Sequence, residues 1–112
     1  VVNILESSKQ ARADIDSCYS YIKDNLQEPY VALDLLLSID KKVKQLVFLP
    51  EAWPLVNNDF LASKGYRAVT VKRYTLFYRF EAESSVIRLL RFLPGRMNWA
   101  RILLKDFEEE EG

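Results

Sequence analysis

Apolar positions along the 112-residue chain recur first with a helical period and then with a strand period. Val1 to Leu5 is a short apolar stretch that predicts a strand. With no basic start and no small-residue cleavage site, it does not read as a signal peptide. Ser7, followed three residues later by Gln10, has the form of a capping box. Ala11, Ile15, Cys18 and Ile22 then fall at steps of four, three and four, the apolar stripe of an amphipathic helix ending near Asn25-Leu26. Pro29 suits the first turn of a second helix, because its missing N–H is unpaired there anyway. Ala32, Leu36, Ile39, Val43 and Leu46 carry the second stripe, widened by Leu33, Leu35 and Val47, and Pro50 ends it. Two helices with so short a joint form an antiparallel hairpin.

Residues 50–64 have no clear period, and two prolines with Asn57-Asn58-Asp59 mark them as a loop tied down by Trp53, Leu55 and Phe60. Alternation returns in Tyr66 to Lys72, with Arg67, Val69 and Val71 on one side. Arg73 sits in a tight turn, Tyr74 to Phe80 is aromatic-rich, and Val86 to Leu93 reads as a central strand beyond the loop Glu81 to Ser85. Asn98 caps a short final helix, Trp99 to Lys105. The expected fold is α+β, ordered β-α-α-β-β-β: an antiparallel sheet with a two-helix hairpin on one face and a short C-terminal helix.

Composition narrows the class. Apolar residues at 49% and charged residues at 29% fit one globular domain, and no apolar run is long enough to span a membrane. The expected division is a single domain over residues 1–105 and an acidic tail over 106–112. The lone Cys18 permits no internal disulfide and fits a cytoplasmic protein. No histidine is present, which argues against most zinc sites and every histidine-based catalytic scheme; no metal or cofactor is expected.

The zero net charge hides a strong asymmetry. Residues 1–63 hold 6 Lys/Arg against 9 Asp/Glu, a net −3; residues 64–105 hold 10 against 2, a net +8; residues 106–112 hold 5 acids, a net −5. A basic half of this kind points to an acidic or polyanionic partner. The tail reads as disordered, solvent-facing chain, with screening of the basic sheet as the alternative.

Several local signatures resemble the RelE/ParE toxin superfamily: Tyr21-Ile22 followed by a polar turn and Pro29; Leu46-Val47-Phe48-Leu49 before Pro50; Gly65-Tyr66-Arg67; Tyr74-Thr75-Leu76-Phe77-Tyr78-Arg79; and Arg91 to Asn98 closing the last strand. The resemblance implies the toxin of a bacterial type II toxin–antitoxin pair. Its partner would be a cognate antitoxin whose acidic amphipathic segment wraps the basic surface. The target would be ribosome-bound mRNA or DNA gyrase, and no membrane is involved.

RNA cleavage requires a base on the 2′-hydroxyl, an acid on the leaving oxygen and cations on the phosphate. Arg67, Arg79 and Arg96 are assigned to the phosphate as catalytic residues, with Lys64, Lys72, Arg73 and Arg91 contacting nucleic acid or partner. The position that carries His or Tyr in RNA-cleaving relatives is Pro94 here, and Asn98 replaces a frequent aspartate. Only Glu51, Tyr66 or Tyr78 remains to act as base. Three functions stay open: ribosome-dependent mRNA cleavage, placed first because it is common in the superfamily; ParE-like gyrase inhibition without chemistry; and an inactive toxin fold that binds an antitoxin.

Overall fold

The computed structural model describes residues 3–111. Strand β1 (Ile4–Ser7) leads into helix α1 (Lys9–Ser20), which runs on through a π-helical turn at Tyr21–Asn25. Helix α2 spans Pro29–Phe48 and the one-turn α3 spans Asp59–Ser63. Strands β2 (Tyr66–Val71), β3 (Tyr74–Glu81) and β4 (Val86–Pro94) follow, and α4 (Trp99–Glu111) ends the chain. Of the strand expected from Val1 to Leu5, the first two residues lie outside the described residues.

Local chemistry explains the boundaries. Ser8, and not the expected Ser7, caps α1, its hydroxyl accepting from Ala11 N at 2.9 Å. Pro29 occupies the first turn of α2 as expected. The expected loop over 50–64 contains α3, whose start is fixed by Asn58 Oδ1 accepting from Leu61 N at 3.0 Å. Lys72, at φ 57°, takes the left-handed conformation of the two-residue turn between β2 and β3.

The sheet order is β1-β4-β3-β2. It is mixed where an all-antiparallel sheet was expected. The helical hairpin lifts the chain off β1 and returns it to the far edge, so β1 lies parallel to β4, with Ile4 opposite Val86 and Ser7 opposite Leu89. A bulge shifts the β3–β4 register: Tyr78 faces Leu89 while Phe77 faces Arg91.

Both faces of the sheet are covered. Val69, Val71, Leu76, Tyr78, Ile87 and Leu89 pack against Ala32, Leu35, Ile39 and Leu46 of α2 and Ala11 of α1. On the opposite face, Tyr66, Phe77 and Leu93 pack against Leu61 of α3 and Leu103 of α4. The final helix does not stop at Lys105. Its apolar stripe continues from Trp99 and Leu103 to Phe107, so the acidic residues expected as disordered tail extend a packed helix through Glu111. Among the described residues no helix is long and apolar enough to cross a membrane.

Candidate functional site

The arginines expected to form one catalytic group are not brought together. Arg67 lies on the hairpin side of β2. Its Nη1 donates to Trp53 O at 2.6 Å, and its Nη2 lies 3.8 Å from Glu51. It serves the segment after α2, which also bridges to β2 through Leu55 opposite Arg67. Arg79 is on the opposite face, its guanidinium over the Tyr66 ring at 5.2 Å. Arg96 is exposed in the turn after β4. Tyr74 pairs with Pro94 at that end of β3, five residues from Arg79. At about 3.3 Å per residue the separation is roughly 16 Å, too far to share one phosphate.

The expected contact residues also separate. Arg91 is held inside: it donates to both carboxylate oxygens of Asp14 at 2.8 and 2.9 Å and pairs with Asp106 at 3.2 Å. Lys72 pairs with Asp34 of α2 at 3.0 Å. Lys64 lies over the Phe60 and Phe107 rings at 5.4 and 5.6 Å. Arg73 and Arg96 do share a corner, since Gly95 N donates to Arg73 O at 3.1 Å. Neither is in an ion pair among the described residues.

Sequence reasoning did not find the acids that occupy these arginines. Arg88 stands directly opposite Arg79, an unfavourable pairing relieved by Glu6 at 2.9 Å and Glu81 at 3.0 Å. Glu6 sits beside Arg88 in the β1–β4 register, a pairing visible only once that strand order is known. Asp14 precedes Ile15 of the α1 stripe, and Asp106 precedes Phe107 of the α4 stripe. Both therefore border buried seams.

The remaining base candidates are chemically poor. Burial pushes the Tyr78 phenol up to about 12, and its hydroxyl donates to Pro50 O at 2.7 Å. Burial also raises the Tyr66 phenol, against the opposing pull of Arg79. Both keep their protons at neutral pH and accept none. Glu51 is an exposed carboxylate beside Arg67, on the face away from Arg79.

A cavity of about 340 Å³ remains between α4 and the sheet, lined by Tyr66, Arg88, Leu90, Asp106, Glu109 and Glu110. Arg88 is already paired with Glu6 and Glu81, and Asp106 with Arg91; none of these three partners lines the cavity. Helix α2 instead leaves Tyr30, Leu33 and Leu37 exposed along one face, at 85%, 48% and 60%, with Phe48, 85% exposed, beyond the exposed Lys41 and Lys44 of that face.

The chain matches the family model described as the ParE toxin of the type II toxin-antitoxin system parDE over residues 5–99. Among solved structures, it is similar to a chain of the chromosomal ParDE toxin–antitoxin system from P. aeruginosa, with TM-score 0.65 and 22% identity over 82% of this chain and 95% of that one. It is also similar to a chain of the RelBE2 toxin–antitoxin complex from Mycobacterium tuberculosis, with TM-score 0.58 and 16% identity over 84% of this chain and 99% of that one. No curated protein sequence matches it. The structural likeness agrees with the mixed sheet and paired helices, and the family match spans most of the chain: the protein belongs to the ParE toxin family, the toxin component of type II toxin–antitoxin systems.

Proposed function

We propose that this toxin acts in the cytoplasm by binding its target, as a ParE-like inhibitor of DNA gyrase, and not by cleaving ribosome-bound mRNA. The dispersal of Arg67, Arg79 and Arg96 carries this reading. Arg67 holds a loop, Arg79 stacks on Tyr66, and Arg96 lies apart from both, beside Arg73 at the other end of the sheet. Phosphodiester cleavage requires base, acid and phosphate cations within a few ångströms of one another. A binding inhibitor requires only an accessible surface, which Arg73 and Arg96 supply together with exposed apolar residues.

The partner is a cognate antitoxin. The bare stripe on α2 supports a protein partner, because a large exposed apolar surface usually marks an interaction site.

The test is a supercoiling assay with purified toxin and gyrase, run beside a ribosome toeprinting assay. Inhibited supercoiling with intact mRNA is expected. Ribosome-dependent cuts with supercoiling unaffected overturn the reading. Growth arrest by neither route also overturns it, and harmless expression leaves an inactive antitoxin-binding fold.

A further inference from the structure

A trough crosses one end of the molecule, where the α1–α2 joint faces the β2–β3 turn and the end of β4. Tyr74 lies between its two halves. On one side a cavity of about 380 Å³ is bounded by Tyr21, Pro94 and Met97. On the other, a cavity of about 520 Å³ is bounded by Leu26, Val31 and Arg73. Tyr21, Leu26, Val31 and Met97 are large apolar residues left 53%, 52%, 51% and 48% exposed. Their grouping in two cavities that share Tyr74, and not their exposure singly, marks a surface that a partner covers.

The two halves are lined by three acids, Asp14, Glu28 and Asp34, and three cations, Arg91, Lys72 and Arg73, and four of these six pair with one another. Asp14, in the first half, is taken up by Arg91. Asp34, in the second, is taken up by Lys72. Glu28 also lines the second half and is in no ion pair among the described residues. Arg73, which lines the second half, and Arg96, which lies in the chain between Pro94 and Met97 of the first, are exposed with no carboxylate partner among the described residues, and their turns are joined by the Gly95–Arg73 backbone bond.

We propose that this trough is the docking site for an acidic segment of the cognate antitoxin. Apolar side chains of the segment enter on either side of Tyr74, and its carboxylates pair with Arg73 and Arg96. The inference rests on the toxin–antitoxin reading above and specifies which surface the antitoxin takes. Nucleic acid fits less well: two free arginines beside half-exposed Leu26, Val31 and Met97 offer few phosphate contacts and much apolar area.

The experiment uses the intact chain and the antitoxin encoded beside it. Hydrogen exchange is compared between free toxin and complex, and affinity is measured for wild type and for Arg73→Glu/Arg96→Glu. Both arginines are exposed, so the double variant keeps its thermal unfolding profile. Protection is expected over residues 18–31, 72–75 and 94–98, with affinity falling at least about tenfold in the double variant. A complex that leaves these segments unprotected, or an affinity unmoved by the double reversal, overturns the trough and leaves the toxin–antitoxin reading standing. Protection of the same segments by a 20-base-pair DNA duplex, with none by antitoxin, also overturns it. Absence of any complex with wild-type toxin brings down the toxin–antitoxin reading, and the trough with it.

Discussion

Arg91 and Asp14 replace a strand. Beyond Ser7, β4 has lost its neighbour β1, and α1 takes over that edge. Asp14 Oδ2 accepts the backbone N–H of Phe92 at 3.0 Å, while the carboxylate receives the Arg91 guanidinium through two bonds of 2.8 and 2.9 Å. Ser8 continues the same edge, its hydroxyl donating to Leu90 O at 2.8 Å. Asp106 of α4 holds the other side of Arg91, so one guanidinium ties both helical layers to β4.

Arg91→Ala leaves two carboxylates, Asp14 and Asp106, facing each other without a cation in a half-buried setting. We expect it to lower the unfolding free energy by about 2–4 kcal/mol, since breaking one side of a partly buried pair strands the other. Urea titration of wild type and variant measures it. A loss below about 0.5 kcal/mol would mean that the cluster is solvated and dispensable.

Arg67→Ala is expected to loosen the segment after α2 while leaving the sheet intact. A charged hydrogen bond contributes about 1.5–3 kcal/mol, and the bond to Trp53 O is short and partly buried. Faster amide exchange over residues 51–56 is the direct readout. Growth arrest should weaken only as far as the folded fraction falls. Abolished toxicity with unchanged stability and exchange would return Arg67 to the target-contacting surface.

The hairpin, the order of the strands and the cap at Asn98 were legible in the sequence because each rests on local signals: period, proline, capping residue. Asn98 Oδ1 does accept from Arg101 N, at 3.4 Å. The parallel placement of β1 was not legible, since four residues carry no directional information without a partner. The length of α4 was not legible because charge masks period there: Glu108 to Glu111 suggest solvated chain, whereas Phe107, four residues after Leu103, keeps the helix on the core. The site was less legible than the fold. An arginine on a strand looks the same whether it meets a phosphate, as expected of Arg79, or a partly buried carboxylate, as found for Arg91. The trough was invisible because Tyr21, Leu26, Tyr74 and Met97 come from separate elements.

Alkaline titration tests the environment of Tyr78. Its folded pKa is raised to about 12 from an ordinary value near 10, so above pH 10 the unfolded chain releases a proton that the folded protein keeps. The resulting stability is fully present below pH 10 and is lost as pH rises toward 12. Tyr66 and Tyr74 are shifted in the same direction, so the difference between wild type and Tyr78→Phe isolates the one group. We expect Tyr78→Phe to be less stable at neutral pH, because the Pro50 carbonyl loses its donor, and to lose less stability between pH 10 and 12. Parallel stability curves for the two proteins would show that Tyr78 reaches solvent before the fold opens.

The acidic end of α4 makes the last prediction, because two effects there oppose each other. Glu108 to Glu110 sit near a helix C-terminus, where the dipole disfavours negative charge by a few tenths of a kcal/mol to about 1 kcal/mol each. Against this, Phe107 stacks edge-on with Phe60 at 5.2 Å and with Tyr66 at 6.4 Å, and Asp106 holds Arg91. If packing dominates, Phe107→Ala should destabilise the protein by about 1–3 kcal/mol, less than a fully buried phenylalanine because the ring is only half-buried. Replacing Glu108, Glu109 and Glu110 with glutamine should instead raise stability slightly, most clearly at low salt, where the dipole is least screened. Thermal unfolding of both variants at two salt concentrations separates the effects. A Phe107→Ala variant as stable as the parent, with the glutamine variant less stable, would reverse the assignment: charge contacts with the sheet arginines, and not the aromatic seam, would hold α4 in place.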